Sequence, residues 1–133
     1  MKVDPERSQI MRAVKSHDTA PEMTVRRLVH AMGYRYRLHR KDLPGKPDIT
    51  FQSRHKVIFV HGCFWHGHEC KRGARIPKTN REYWETKIAR NRKRDHRHDE
   101  ELTRAGWRVL VVWECQIKEP QAVAGQIKSF LNN

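Results

Sequence analysis

The sequence predicts one three-layer α/β or α+β domain built on a mixed central sheet, and three observations carry that expectation. Its periodic segments run in the order ααβββαβα. The stretch "WRVLVVWE" is a continuous apolar run with β-branched residues, which suits a strand covered on both faces. At 133 residues the chain is long enough for one hydrophobic core and too short for a second, so 1–133 is expected to form a single domain.

Each element follows from its local pattern. "RSQIMRAVKS" starts a short helix at about 8–16, capped by Ser8. "DTAPEMTVRRLVHAMG" reads as a second helix, with Thr19 as N-cap, Pro21 in the first turn, Gly33 as the stop, and Val25, Leu28, Val29 and Met32 as its apolar stripe. "YRYRLHR" alternates like a half-buried strand and "LPGKP" is a turn. "DITFQ" and "KVIFVHG" form two strands across the short connection "SRH". A loop at about 61–72 follows, then the basic stretch "KRGARIPKTN", then a long helix from about Arg81 to Arg104 stopped by Gly106. After the buried strand, "EPQAVAGQIKSFLNN" closes the chain as a helix.

Composition narrows the function classes. Lys+Arg 28 against Asp+Glu 15 gives a net charge of +13, which calls for a polyanionic partner. The most basic segment, "KIARNRKRDHRHDEE", lacks the apolar face of a membrane-surface helix, so DNA or RNA is expected rather than a membrane. "MKVDPERSQ" has no apolar leader, and "VIFV" and "VLVVW" are too short to cross a bilayer. The expectation is a cytoplasmic, soluble protein, with a monomer as the default. Cys63, Cys70 and Cys115 are odd in number and cannot all pair, which favours metal ligation over disulfides.

The loop "VIFVHGCFWHGHEC" concentrates the chemistry. Cys63, His68 and Cys70, with Cys115 just past the buried strand, would fill the four positions of a structural zinc ion. His66 is an alternative to His68 in that set, and three reduced buried thiols are the plainer reading. Asp48 opens one strand and His61 ends its neighbour, so a hairpin brings both to one sheet edge. There Asp48 and a nearby backbone carbonyl would hold magnesium, and His61 would act on a water, the parts that phosphodiester hydrolysis requires. Taken alone, Pro47-Asp48 reads equally well as a turn capping its own backbone.

Other parts of the chain add to this centre. The inward stripe of the long helix, Trp84, Ile88 and Leu102, passes through Asn91, Asp95 and His98, with no large apolar residue over 89–101. Such a helix either faces a polar site or carries a solvated face laced with ion pairs. Glu22 is a carboxylate behind the same site or the partner of Thr19 in a capping box. Phe64 and Trp65 in the loop and Trp84 at the helix start are candidate wedges that would unstack a duplex, most readily at a mismatch, unless they belong to the core.

The segments "RSQIMRAVKSHDTAPE", "LPGKPD", "VIFVHGCFWHGHEC", "EYWETKIARNRKRD" and "GWRVLVVWEC" together resemble the very short patch repair (Vsr) endonucleases over nearly the whole chain. The resemblance implies a restriction-endonuclease-like fold and nicking of one DNA strand 5′ to the thymine of a T:G mismatch, the product of 5-methylcytosine deamination. It implies bacterial, nucleoid-associated work, with functional coupling to other mismatch-repair proteins. Position by position, Asp48 and the Val60 backbone would hold the magnesium, and His61 and His66 would serve phosphoryl hydrolysis. Glu22 and Asp95 would hold water at the metal or orient histidine, with Asn91 in the same polar cluster. Zinc would sit on Cys63, His68, Cys70 and Cys115. Phe64, Trp65 and Trp84 match intercalating aromatics, and Met11 and Val14 match an N-terminal helix that enters the opposite groove.

The chain departs from some members at Val60, where they have Thr, and at Gly67 and Glu69, where they have histidines; many also continue further at the C-terminus. Two rivals are a restriction-type or structure-specific nuclease of the same fold and a non-catalytic zinc-containing DNA-binding module. The second is disfavoured by the Asn91-Asp95-His98 stripe, because a pure binding module gains nothing from burying polar groups there.

Overall fold

Thr19 opens the first helix as its spacing predicts: its hydroxyl accepts a hydrogen bond from the Glu22 N–H, and Pro21 occupies the first turn. The chain leaves this helix through Gly33 in the left-handed region at φ 82°, where a side chain would be strained. The computed structural model describes residues 19–71 and 73–133, so the expected helix at 8–16, with Met11 and Val14, lies outside the described residues. In chain order these residues form α1 (Ala20–Ala31), β1 (Arg37–Leu38), β2 (Ile49–Phe51), β3 (Lys56–His61), α2 (Arg81–Arg104), β4 (Arg108–Trp113) and α3 (Pro120–Asn132).

The four strands make one mixed sheet in the order β1-β2-β3-β4. β1 pairs antiparallel with β2 and β2 with β3, whereas β3 and β4 run parallel, with Val60 opposite Val112 and His61 opposite Trp113. Side chains alternate across β3 and β4, and each set finds a helical cover. Ile58 and Val112 join Val25 and Val29 of α1 and Val123, Ile127 and Leu131 of α3 in one core cluster. Val57 and Phe59 join Leu102 of α2 and Trp107 in another. A parallel pair covered on both faces is what the unbroken run "RVLVV" encodes.

β1 is shorter than "YRYRLHR" suggests. It covers only Arg37–Leu38, both exposed at the sheet edge, because the backbone of His39 turns left-handed at φ 48° and ends the ladder. At the other end of β3, the buried Lys56 donates from Nζ to the carbonyls of Phe130 (2.7 Å) and Leu131 (3.3 Å), placing a cation on the carbonyl end of α3. Among the described residues, no helix is long and apolar enough to cross a membrane.

Candidate active site and metal centre

Asp48 stands just before β2, and its Oδ2 accepts the Val60 N–H of β3 at 2.7 Å, so the side chain takes the place of a ladder partner. Burial pushes its carboxyl up to about 7; the Val60 N–H opposes this, and the neighbouring Glu22 carboxyl, in hydrogen-bonding contact, adds to it. Glu22 of α1 is only 2% exposed. Its Oε2 accepts from His39 Nε2 at 2.8 Å and from Arg26 Nη2. Ligand atoms of Glu22, His39 and Asp48 all lie within 4.8 Å of one another. Thr19 thus caps the helix through its hydroxyl, while the Glu22 carboxylate is held by His39 and Arg26.

A second group forms where β3 meets α2. The His61 and His66 rings stack at 3.7 Å between centroids and 2° between planes, and His66 Nδ1 bonds Asp95 Oδ2 at 2.6 Å. Burial, reinforced by the charge of His66, pushes the His61 imidazole down to about 3, which keeps it neutral near neutral pH. Its Nδ1 is buried without a hydrogen-bond partner among the described residues. Burial also raises Asp95, but the hydrogen bond and charge of His66 outweigh it, and the carboxyl lies below its ordinary range. Asn91 donates from Nδ2 to the Trp65 carbonyl at 2.9 Å, tying the loop to α2. Asp48, His61, His66, Asp95 and His98 share one cleft of about 750 Å3, whose lining also includes Lys46 and Arg94.

The third group gathers the three cysteines of the chain with His68, all four ligand atoms within 4.8 Å of one another. Cys115 Sγ lies 3.6 Å from His68 Nδ1. Tetrahedral zinc with ordinary bond lengths sets ligand atoms roughly 3.5–3.8 Å apart, so that spacing fits. The backbone N–H of Cys115 donates to Cys63 Sγ (3.3 Å), and that of Gly73 to Cys70 Sγ (3.4 Å). The Gly73 N–H and then His68 pull the Cys70 thiol down to about 6, while burial pushes Cys63 up. His66 is engaged by Asp95, so His68 is the imidazole that stands with the cysteines.

Residues 2–72 match the sequence model of the family described as DNA mismatch endonuclease Vsr. The chain belongs to the Vsr family. It is 50% identical over 132 residues to the type II nicking enzyme V.XorIIP of Xanthomonas oryzae, an overlap of 98% of this chain and 96% of that one. With the DNA mismatch endonuclease Vsr of Escherichia coli it shares 43% identity over 112 residues, 84% of this chain and 71% of the relative. With the type II nicking enzyme V.NmeAIP of Neisseria meningitidis the figures are 45% over 112 residues, 84% and 79%. The family makes it a DNA mismatch endonuclease, a hydrolase whose substrate is DNA.

On this Vsr-family scaffold, the α2 stripe and the loop aromatics that the sequence singles out each come together. Asn91, Asp95 and His98 lie between buried Ile88 and Leu102 on the inward face of α2, as their spacing predicts. The ion-pair reading holds for other positions, through the exposed i,i+4 pairs Arg81–Glu85 and Arg97–Glu101. Phe64, Trp65 and Trp84 do cluster, with centroids 5.2 to 6.1 Å apart. Trp84 is 1% exposed and forms the floor beneath the two loop aromatics, the core alternative for that residue.

Three residues escaped sequence reasoning: Arg26, His39 and Trp113. The Trp113 ring stacks on His68 (4.1 Å, 18°) and stands edge-on to His61 (5.3 Å, 74°), so it joins the cysteine cluster to the histidine pair. Its place opposite His61 follows only from the parallel register of β3 and β4. No sequence signal marks His39, because its place depends on where β1 stops.

Proposed function

We propose that this Vsr-family endonuclease nicks one strand of duplex DNA on the 5′ side of the thymine in a T:G mismatch, using magnesium at Asp48 and a zinc-stabilised loop. The observation that supports it best is the single cleft onto which Asp48 and the His61–His66–Asp95 group both open. Two contacting carboxyls, Asp48 raised to about 7 by burial and by Glu22, suit a divalent cation that would let both ionise, and oxygen donors suit magnesium. Asp48 and the Val60 backbone would hold that ion, which when bound supplies Lewis-acid polarisation of the phosphodiester and charge stabilisation at the leaving oxygen. The three sulfurs of Cys63, Cys70 and Cys115, with the imidazole of His68, suit a closed structural zinc site.

The protein's own groups have separable roles in this reading. Asp95 fixes the His66 tautomer through Nδ1 and leaves Nε2 for proton exchange with water or the leaving oxygen. Neutral His61 packs against His66 and keeps its plane, without a second positive charge beside the metal. Lys46 and Arg94 contribute positive charge to the cleft lining, where a phosphate backbone would pass. Phe64 and Trp65 would wedge the mismatch, for Trp84 would have to swing out of the core to join them. We assign the chain a single restriction-endonuclease-like three-layer domain that acts as a cytoplasmic monomer on the nucleoid, alongside other mismatch-repair proteins.

The test is a nicking assay on two duplexes differing in one pair, T:G against C:G, with magnesium present or omitted. A nick confined to the thymine strand of the T:G duplex, dependent on magnesium and lost in Asp48→Ala by at least about a thousandfold while duplex binding persists, supports the reading. Equal cutting of both duplexes would leave the nuclease centre and remove the T:G assignment. Normal cutting by Asp48→Ala would remove the centre.

A further inference from the structure

We propose that His39, with Arg26, is the positioning residue that holds Glu22 against Asp48, and that it thereby sets how tightly the centre takes up its divalent cation. This rests on the reading of Asp48 as the metal ligand. Four independent observations converge on His39. Its Nε2 lies 2.8 Å from Glu22 Oε2, a buried oxygen that also accepts from Arg26 Nη2. The two nitrogens lie 3.4 Å from each other, so both bonds converge on that one carboxylate oxygen. The His39 backbone N–H donates to the Asp48 carbonyl at 3.3 Å, which fastens the two residues as a pair. Finally, His39 is a non-glycine residue in the left-handed region at φ 48°, a conformation that persists only where surrounding contacts demand it and that concentrates at functional sites.

The physical need for the clamp is plain. Glu22 is 2% exposed and touches a second carboxyl, so without fixed donors it would turn away from Asp48. Charge-assisted hydrogen bonds from an imidazole and a guanidinium hold it in one rotamer. Partners behind a ligand set shift metal affinity or activity by about 10–100-fold when removed. His39 does not itself touch substrate or reacting atoms in this assignment; it acts through Glu22.

The experiment compares His39→Ala, His39→Gln and Asp48→Ala with the parent, in two readouts. One is Mn2+ binding to the DNA-free protein followed by electron paramagnetic resonance; the other is the magnesium concentration that half-saturates single-turnover nicking of a T:G duplex. Both variants at position 39 keep a Cβ, so the backbone strain is common to them. His39→Ala is expected to weaken Mn2+ binding and raise the half-saturating magnesium by about tenfold, with duplex affinity within about twofold. His39→Gln, whose amide can donate to the same oxygen, should recover most of the loss, which a purely structural role would not predict. Parental Mn2+ affinity in His39→Ala overturns the proposal, as does equal loss in Ala and Gln variants that tracks a fall in melting temperature. If Asp48→Ala also binds Mn2+ and nicks as the parent does, the metal-centre reading itself has failed; if Asp48→Ala is inactive while His39→Ala is normal, only the role of His39 has.

Discussion

The carboxylate–histidine cleft and the cysteine cluster lie on two sides of Trp113, yet they are held in opposite ways. Glu22 on α1, Asp48 at the start of β2, His61 at the end of β3 and Asp95 on α2 each hang on or beside a regular element. Those elements are packed by Val25, Val29, Ile49, Ile58 and Leu102, all fully buried. The cysteine cluster draws three of its four members from the irregular loop between Cys63 and Cys70, which lies so close on α2 that a Cβ at Gly67 would come within 2.7 Å of the Ile88 side chain. Packing orders the first region, whereas under the zinc reading the ligands would order the second. His66 belongs to both, because it sits in the loop and serves the cleft.

The sharpest way to break this contrast is Cys115→Ser, which removes the one member of the cluster contributed from beyond the loop. Loss of a structural zinc ligand should cost about 5 kcal/mol or more of folding stability and lower the melting temperature steeply. Nicking should fall as well, since His66 loses its anchorage. Asp48→Ala should do the reverse: inactive, but melting at or above the parental temperature without added magnesium, because it relieves the contact with Glu22. If Cys115→Ser melts like the parent and holds no zinc by elemental analysis, the loop is ordered by packing after all and the contrast is wrong.

The two halves of the cleft also answer pH with opposite sign. Asp48 is raised from 3.8 to about 7, so in the folded state it binds a proton that the unfolded chain has released; stability is lost as pH rises between those values. His61 is lowered from 6.5 to about 3, so the unfolded chain binds the extra proton, and stability is lost as pH falls through that window. Thermal melting from pH 4 to 8 without added magnesium should therefore separate two variants. Asp48→Asn should flatten the rise-in-pH loss, on the order of 4 kcal/mol for a shift from 3.8 to about 7, and His61→Gln the acid-side loss. Parallel pH profiles for parent and Asp48→Asn would show that burial does not hold the Asp48 proton.

These regions differed equally in how far the sequence disclosed them. The cysteine set was legible because three thiols and a neighbouring histidine have few uses in a chain that cannot pair them. The Asn91-Asp95-His98 stripe was legible because a 24-residue helix repeats its inward face at three- and four-residue steps. His39 was hidden: alternation in "YRYRLHR" assigns it to a strand that in fact ends one residue earlier, and only the left-handed turn brings its ring to Glu22. Trp84 was legible as core through its place on the inward stripe of α2, whose first turn carries the ring beneath Phe64 and Trp65; only its grouping with the loop aromatics suggested a wedge.

Thr19 is where the smallest effect discriminates best. Its hydroxyl lies 3.4 Å from the Glu22 N–H, a long bond, so Thr19→Ala should lower stability by only about 0.5–1 kcal/mol. The carboxylate of Glu22 is engaged by Arg26 and His39, independently of the Thr19 hydroxyl. Its orientation should therefore survive loss of the cap, and the magnesium dependence of nicking should stay within about twofold of the parent. A shift as large as that expected for His39→Ala would mean that the first turn of α1, and not the donors on its carboxylate, places Glu22; the cleft would then depend on local capping much as the cysteine loop would depend on its ligands under the zinc reading.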